Sequence, residues 1–395
     1  MAASKSTKIL TRRIWVLSLV SLFTDTASEM LYPVMPMYLK TIGFTIVLIG
    51  ILEGMAEAVA GLSKSYFGSL SDYSGKRAPF VKLGYAFSAL SKPLTALSPA
   101  IGWVFMMRTV DRLGKGIRTG ARDALLSAEA TSATKGRVFG FHRSMDTLGA
   151  VLGPGIALLY LYFYPGQYLK LFYFALFPGL LAVGLTFLLK DKKTAKTKVS
   201  VRPTFAESLS YWKKSPVLYR QVVAALLVFF LFNSSDIFLL IKIQEAGFSD
   251  TEVIGMYVFY NLTYAMISFP AGIFGDRFGL KKALLVGLAL FSITYAGMAF
   301  STHAWQFLIL FFLYGTYAAF VEGNAKAWLS NIADPADAGK ALGMFAGFQS
   351  ICALFASTIT GILWYNIGSG AALMVTALGA AVVLVWLSRV NPAAA

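Results

Sequence analysis

Five charged residues stand at helical spacing within one short segment of the chain: Arg108, Asp111, Lys115, Arg118 and Arg122. Their separations are 3, 4, 3 and 4 residues, so on an α-helix they form one stripe roughly 80° wide. Three glycines of the segment fall outside the stripe, where small residues permit close helix contact; they are Gly114, Gly116 and Gly120. The basic groups of such a stripe can bind an anion, and its carboxylate can take part in proton transfer.

A second set of ionisable residues can balance this positive charge. Asp25, Glu29, Tyr32 and Pro36 stand at spacings of 4, 3 and 4 and share one helix face. Asp25 lies near the middle of an apolar segment, where burial favours the protonated form of a carboxylate and permits proton exchange. The alternative is a structural ion pair between Asp25 and the stripe. The candidates for proton coupling are Asp25, Glu29, Arg108 and Asp111.

Further polar side chains are spread along both parts of the chain. Glu53 and Glu57 form another acidic pair one turn apart, and they belong either to a binding site or to ion pairs. Glu322 is expected to pair with Lys326, one turn away, and Arg143 is expected to pair with Asp146. The candidates for lining a substrate cavity are Tyr32, Glu53, Glu57, Lys115, Arg118, Asn233, Asp236, Asn261, Tyr264, Tyr314, Tyr317 and Glu322.

The composition shows which elements must position these side chains. Of 395 residues, 57% are hydrophobic and 14% are charged, whereas a soluble domain is about 25% charged. Long apolar stretches reach the roughly 20 residues that cross a bilayer core. Hydropathy predicts twelve helical spans, at about residues 14–39, 45–71, 79–99, 102–125, 137–164, 168–190, 217–244, 251–275, 281–301, 304–331, 340–365 and 369–390.

The basic residues give this multi-pass protein an orientation. The formal net charge of +16 resides mainly in alternate loops between spans, which places both chain termini in the cytoplasm by the positive-inside rule. We therefore expect a lipid bilayer and not a nucleic acid as partner. The single Cys352 excludes an intrachain disulfide, and with only two histidines the sequence indicates no metal site. A cell membrane, for a bacterium the inner membrane, is the expected location.

Two halves of the chain resemble each other. The segment "GSLSDYSGKR" begins at Gly68 and "GIFGDRFGLKK" begins at Gly272, an offset of 204 residues. Such a duplication is typical of transporters whose halves rock about a central site. It predicts a six-helix bundle over residues 1–190, a cytoplasmic linker over 191–216 and a second six-helix bundle over 217–395.

These motifs resemble those of the major facilitator superfamily. The loop signature is matched by Gly68, Asp72, Gly75, Lys76 and Arg77. Its repeat includes Asp276 and Lys281. The segment "RTVDRLGKG" from Arg108 resembles the helix 4 motif of the superfamily. The helix 5 signature of its antiporter branch is matched by Gly140, Gly149, Gly153 and Pro154.

The resemblance implies an all-α membrane fold of twelve helices in two pseudo-symmetric bundles, and a proton-coupled antiporter. The loop residues would form a conformational gate, with Lys76 or Arg77 bridging to an acid such as Asp123. No cofactor other than the proton gradient is implied, and a monomer is expected. Nothing in the sequence indicates an enzyme, because no nucleophile–base set or phosphate-binding loop is present.

Three functions are compatible with these observations. The first is proton-coupled efflux of a small organic molecule across the cytoplasmic membrane by alternating access. The second is proton-coupled uptake of an anionic metabolite or an iron chelate resembling a siderophore, with the basic stripe holding the anion. The third is a membrane receptor that transports nothing.

Overall fold

The computed structural model describes residues 10–129, 135–191, 211–333 and 338–390. These residues form α-helices joined by short loops, and none of them is in a β-strand. The helices before the predicted linker are α1 Arg12–Leu31, α2 Met35–Thr41, α3 Ile46–Ser74, α4 Ala78–Thr95, α5 Ile101–Ser127, α6 Lys135–Phe163, α7 Tyr168–Phe174 and α8 Leu176–Thr186. Those after it are α9 Val217–Phe232, α10 Ile237–Glu245, α11 Asp250–Phe278, α12 Leu280–Phe300, α13 Ala304–Ile332, α14 Ala338–Ile367 and α15 Ser369–Arg389.

Every predicted span coincides with helix, but three spans are broken into two helices. The first span divides into α1 and α2 beside Pro33, which lacks the N–H group that would continue the hydrogen-bond ladder. The seventh span divides into α9 and α10 around Asn233, Ser234 and Ser235, whose side chains compete with the helix for backbone groups. The sixth span divides into α7 and α8 at Ala175.

Nine segments of the described residues are helices long and apolar enough to cross a membrane. The remaining three predicted spans form α4, α5 and α11, which carry more polar side chains.

We call the side of the bundle on which α1 begins and α15 ends the terminal face, and the other side the opposite face. Successive spans run alternately between the two faces.

The apolar core shows that the two groups of helices share one interior near the opposite face. One cluster of buried residues joins Met30, Leu39 and Phe44 of the first group to Phe238 and Trp364 of the second. A separate cluster near the terminal face is built from the first group alone, with members such as Leu17, Tyr85 and Leu125. The helices are therefore packed together at the opposite face.

Hydrogen bonds between the halves tie the opposite face together. The Lys40 ammonium donates to Gln244 Oε1 at 3.0 Å, and the Gln244 amide donates to Asp250 Oδ1 at 3.1 Å. The Tyr168 hydroxyl donates to the other carboxylate oxygen of Asp250. Because Lys40 and Tyr168 precede the linker while Gln244 and Asp250 follow it, we call these four residues the opposite-face latch.

The glycines of the helix 5 motif bring α6 against α1. A Cβ atom at Gly149 would lie 2.5 Å from the carbonyl oxygen of Leu22 and 3.0 Å from Cβ of Asp25. At Gly153 it would lie 2.5 Å from the carbonyl oxygen of Thr26. Only glycine permits this approach, so the motif places α6 directly behind the acids of α1.

Candidate functional site

The most deeply buried charge of the site, Glu53, belongs to an ion pair between α3 and α5. The guanidinium of Arg108 donates to Glu53 through Nε at 3.1 Å, and through Nη2 to both carboxylate oxygens at 2.8 and 2.9 Å. Glu53 is 1% exposed and Arg108 is 7% exposed. The planar fork of arginine matches a carboxylate in this way, and each charge here depends on the other.

Asp111 lies one turn further along α5 and takes its partners from α4. It accepts hydrogen bonds at one oxygen from the Ser88 hydroxyl at 2.5 Å and from the Lys92 ammonium at 3.1 Å. Its other oxygen faces Arg112 Nε at 3.5 Å and Arg108 Nη1 at 3.9 Å. The sequence analysis did not select Ser88 or Lys92. A lysine inside the apolar third span was the signal that could have identified this contact.

Arg112 and Arg118 are buried with incomplete hydrogen bonding. Arg112 stands 3.7 Å from Glu57, and its Nε has no hydrogen-bond partner among the described residues. Arg118 lies with its guanidinium carbon 4.5 Å from the ring centroid of Tyr85, and its Nη1 also lacks a partner there. A guanidinium over an aromatic face is stabilised by the ring quadrupole. Arg112, which sequence analysis treated only as a motif position, is part of this charged network.

The stripe on α5 therefore does not line a water-filled interior along its whole length. Arg108, Asp111 and Arg118 are buried inside the first half, and Lys115 is exposed. Charges at membrane depth must face either water or charged protein groups, and Arg108 and Asp111 of this stripe face charged groups of α3 and α4. Arg122 pairs with the neighbouring Asp123 at 3.0 Å. The glycines of α5 do face neighbouring helices, with Gly114 against Gly84 of α4 and Gly120 against Gly68 of α3.

The two acids of α1 have different surroundings. Asp25 is half-buried beside α6, and no hydrogen bond or ion pair reaches its carboxylate from the described residues. Its predicted alternative, an ion pair with the stripe, is therefore not formed in this conformation. Glu29 accepts a hydrogen bond at 2.9 Å from the hydroxyl of Tyr257, which belongs to α11 in the second half. Tyr32 lies one turn further, with its hydroxyl 3.4 Å from that of Ser235.

The polar groups of the second half are held by tyrosines. The Tyr314 hydroxyl donates to Asp236 at 2.6 Å, and the Asn233 amide donates to the Tyr317 hydroxyl at 3.0 Å. Tyr314 and Tyr317 are buried, so in this conformation they stand behind the cavity wall. Asn261 donates to the carbonyl oxygen of Tyr257 on its own helix at 3.0 Å.

A chain of three side chains crosses between the halves, from α6 to α11 and α13. Arg143 of α6 donates to the Tyr264 hydroxyl at 3.2 Å, and that hydroxyl donates to Glu322 at 2.9 Å. Two predicted pairs are therefore wrong. Arg143 does not bind Asp146, which instead faces the ring of His142 at 3.7 Å, and Glu322 makes no ion pair with Lys326. Spacing alone could not identify a partner on another helix.

The loop motif has the expected turn, and the backbone at the turn binds a carboxylate at the end of the first half. Gly75 adopts φ of 65°, a left-handed conformation that favours glycine, and so reverses the chain between α3 and α4. The backbone N–H groups of Arg77 and Ala78 both donate to Asp191 at 3.0 Å. Lys281 of the second repeat binds the carbonyl oxygens of Ser388 and Val390 at the end of α15.

Several motif residues complete this account. Lys76 is exposed beside the turn, and Pro154 lies inside α6. The side chains of Asp72 and Asp276, and the surroundings of Gly140, lie outside what the structure describes. Asp123 is bound to Arg122. Across the described ranges, no three His, Cys, Asp or Glu side chains come together as metal ligands.

The helical architecture and the charged inner surfaces define a membrane-spanning transporter of two packed helical halves. The sequence model of the Major Facilitator Superfamily matches residues 17–260 and 237–395. The chain therefore belongs to this superfamily, and the twelve-helix all-α membrane fold in two bundles predicted from the sequence is confirmed.

Individual proteins agree with the family assignment. The chain is 31% identical over 361 residues to an uncharacterized MFS-type transporter of Methanocaldococcus jannaschii, which covers 90% of this chain and 89% of the relative. It is 21% identical over 391 residues to a PmrA homolog of Lactococcus lactis described as a multi-drug resistance efflux pump, covering 95% and 94% of the two chains. The crystal structure of a single-residue mutant of the nucleoside transporter NupG superposes with a TM-score of 0.80 at 13% identity, covering 96% of this chain and 100% of that one.

Proposed function

We propose that the protein exports a small organic molecule from the cytoplasm across the inner membrane, driven by protons that enter through the same alternating pathway. Asp25 is the observation that carries this proposal. It is a half-buried carboxylate in the middle of α1, and it makes no hydrogen bond or ion pair with any of the described residues. Such a group at membrane depth gains and loses a proton more readily than one held in an ion pair.

The neighbouring acid links proton binding to the movement of the halves. Glu29 lies one turn from Asp25 and accepts its hydrogen bond from Tyr257 of the second half. Protonation of Glu29 removes the charge that strengthens this hydrogen bond. The proton load on α1 therefore alters a contact that must break when the opposite face opens. In this mechanism the terminal face is cytoplasmic, and the present conformation is closed on the other side.

The exposed charges support access from the terminal face. Lys115, Arg143 and Glu322 are exposed although each lies inside a membrane-length helix. Contact with lipid at this depth would cost at least about 2.5 kcal/mol for each charge. The side chains therefore face a water-filled cleft between the halves, open toward the face on which the chain termini lie.

Everted membrane vesicles with an acidic lumen test the proposal. A substrate added outside should release protons from the lumen if the protein is an antiporter. The panel should contain ethidium, citrate and ferric citrate, because the charge class of the substrate is open at this step. With Asp25→Asn, downhill exchange should persist while proton-driven accumulation is lost. Glu252→Gln is the control, since this carboxylate only caps α11 beside Ser249 at the opposite face.

Three outcomes would contradict the mechanism. Accumulation at the wild-type rate in both Asp25→Asn and Glu29→Gln would remove this pair from proton coupling. Proton movement in the same direction as the substrate would identify uptake by symport, the second function weighed above. Absence of net flux for every compound, with binding retained, would favour the receptor.

A further inference from the structure

Four tyrosine rings lie in consecutive contact where the two halves meet, and we call them the tyrosine cluster. Tyr32 follows α1, Tyr257 and Tyr260 belong to α11, and Tyr314 belongs to α13. The ring centroids are 5.5 Å apart for Tyr32 and Tyr257, 5.9 Å for Tyr257 and Tyr260, and 5.1 Å for Tyr260 and Tyr314. The Tyr32 hydroxyl also lies 3.4 Å from that of Ser235, in the break between α9 and α10. The cluster therefore joins the first half to two segments of the second.

Two carboxylates border the tyrosine cluster, one from each half. Glu29 accepts a hydrogen bond from the Tyr257 hydroxyl at 2.9 Å, and Asp236 accepts one from the Tyr314 hydroxyl at 2.6 Å. Asp236 stands at the N-terminus of α10, but its side chain does not cap that helix. Neither carboxylate forms an ion pair with any residue that the structure describes. The cluster thus carries two acids whose only described partners are neutral hydroxyl groups.

The first half shows how this protein neutralises a carboxylate that serves packing alone. Glu53 is bound by the guanidinium of Arg108. Asp111 is bound by the ammonium of Lys92. Acids that are held at membrane depth without such a cation are costly. Their cost falls when a proton or a cation from outside the protein neutralises them, so the acids of the cluster are suited to a positively charged ligand.

The cleft gives a ligand access to these acids. Glu29, Tyr32 and Asp236 are half-buried, and the other three tyrosines of the cluster are buried behind them. Since α11 and α13 begin at the opposite face, Tyr257 and Tyr314 lie about 10–15 Å from that face along their helices. The cluster is therefore at the closed end of the cleft that opens to the terminal face.

Two further hydroxyl groups beside the cluster are buried without a partner. Ser234 directly precedes Ser235, and the Tyr295 ring centroid lies 6.0 Å from that of Tyr314. Neither hydroxyl has a hydrogen-bond partner among the described residues. Buried hydroxyl groups are normally paired. Their unpaired oxygen atoms add to the preference of this region for positive charge.

We infer that the tyrosine cluster, together with Glu29 and Asp236, binds the positively charged group of a soluble organic substrate, a compact alkyl-substituted ammonium. The faces of tyrosine rings attract a cation through their quadrupole, and the two carboxylates add full negative charges. Alkyl groups on the nitrogen pack against the rings while the charge is retained. This inference rests on the proposed function, because it names the substrate class of that transporter.

Such a site makes the substrate and protons compete. Protonation of Glu29 and Asp236 removes the charges that hold the cation, so protons that arrive when the opposite face is open favour its release. The contact of Glu29 with Tyr257 and the contact of Tyr32 with Ser235 both cross between the halves. Because the ligand and these contacts use the same groups, its binding alters the interface that must rearrange during transport.

Thermal unfolding of the purified protein in phospholipid-free detergent tests the site without requiring transport. The probes are choline and tetramethylammonium, compared with sodium chloride at equal ionic strength and with the uncharged analogue of choline in which carbon replaces nitrogen. A ligand that binds the folded state raises the unfolding temperature by mass action. We expect a saturable rise with at least one of the two cations and none with the uncharged analogue.

Substitutions at the edge of the cluster separate the charge from the ring. Asp236→Asn keeps an acceptor for Tyr314 but removes the charge, and the half-saturating concentration should rise about tenfold. Tyr32→Leu should raise it about twofold to fivefold, whereas Tyr32→Phe keeps the ring and should bind nearly as the wild type does. Glu252→Gln is the matched control, since it removes an exposed carboxylate at the opposite face, outside the cluster.

Several results would overturn the inference. An equal rise with the uncharged analogue or with sodium chloride, no rise with either cation, or unchanged binding in both Asp236→Asn and Tyr32→Leu would refute the site. The same Asp236-dependent stabilisation by phosphatidylcholine in nanodiscs, with none by soluble cations, would refute the substrate assignment in favour of a lipid headgroup.

The outcome is separable from that of the proposed function. Asp25→Asn should bind choline normally even where it abolishes proton-driven transport. Proton-coupled efflux of citrate that is unaffected by Asp236→Asn and Tyr32→Leu would refute the cation site and leave the transporter mechanism intact.

Discussion

The two halves of this transporter accommodate polar groups at membrane depth in different ways. The first half neutralises charge with charge, as in Arg108 with Glu53 and Lys92 with Asp111. The second half surrounds its polar groups with tyrosines, as in Asp236 with Tyr314. Loss of one partner of a buried ion pair strands the other charge, whereas loss of a hydrogen bond from a neutral hydroxyl costs less.

This difference assigns different mechanical roles to the halves. The paired charges connect α3, α4 and α5. In the proposed mechanism these three helices move together as one rigid unit. The tyrosine wall of the second half contains several rings in mutual contact, such as Tyr260 with Tyr314 at a centroid distance of 5.1 Å. Rings of this kind can exchange partners without stranding a charge. Glu29 lies at the boundary of the two, since it is a first-half acid bound by a second-half tyrosine.

Loss of the central ion pair should have the largest effect. Arg108→Ala leaves Glu53 buried without a cation, and we expect a loss of about 3–5 kcal/mol in the free energy of unfolding. Thermal unfolding in detergent, together with the yield of folded protein, measures this loss. The double variant Arg108→Met with Glu53→Met is the control, because it removes both charges. It should be clearly more stable than Arg108→Ala, and equal destabilisation by both would refute the ion-pair account.

Removal of a single partner of Asp111 should have a smaller effect. Lys92→Met keeps the length and the apolar stem of the side chain but removes one hydrogen-bond donor, while Ser88 continues to donate. We expect a loss of about 1.5–3 kcal/mol, the range for a hydrogen bond to a charged group. Lys82→Met, on the same helix beside Phe187, serves as the comparison variant. If the two substitutions cost the same, Lys92 does not stabilise Asp111.

The fold could be predicted from the sequence more completely than the site. Hydropathy located every span because burial in lipid requires about 20 apolar residues in a row. It did not locate the breaks after Leu31 and Phe232, because hydropathy averaged over a whole span stays high across a short interruption such as Asn233, Ser234 and Ser235. The charged residues of α5 were recognised as one face by their period, and their glycines were correctly placed on another.

Partners on other helices could not be derived from spacing. The period of a helix identifies the residues that share a face, but not the helix that packs against it. Arg108 was therefore assigned to proton coupling without its partner Glu53, and Arg143 was paired with Asp146 although Tyr264 binds it. Asp25 remains a candidate for proton coupling, and its lack of a direct ion pair is visible only in three dimensions.

A conservative change in the second half should be tolerated better than either change in the first. Tyr314→Phe removes the hydroxyl that donates to Asp236 and keeps the packed ring. We expect a loss of about 1.5 kcal/mol in the free energy of unfolding, the lower end of the range for a hydrogen bond to a charged group, because the donor is a neutral hydroxyl. Thermal unfolding measures the loss in Tyr314→Phe. Tyr257→Phe, which removes the donor to Glu29, is measured for comparison. A loss above that of Lys92→Met would break the proposed contrast between the halves.

The smallest expected effect on stability concerns the opposite-face latch, where both halves contribute. Tyr168→Phe removes one donor to Asp250 but leaves Gln244 in place. Loss of about 0.5–1 kcal/mol from the state closed on this face shifts its population by about twofold to fivefold relative to the alternate state.

Thr119→Cys, in a protein with Cys352→Ser, reports that shift through its reaction with a water-soluble thiol reagent. Labelling should slow in Tyr168→Phe, because the cleft at the terminal face is closed more often. Tyr162→Phe is the control, because Tyr162 is an exposed tyrosine near the opposite face. Thr119→Cys should be labelled in this variant at the wild-type rate. Faster labelling in Tyr168→Phe would show that the latch does not stabilise the conformation open at the terminal face. The hydrogen bonds at Asp250 would then have no effect on the equilibrium between the two states.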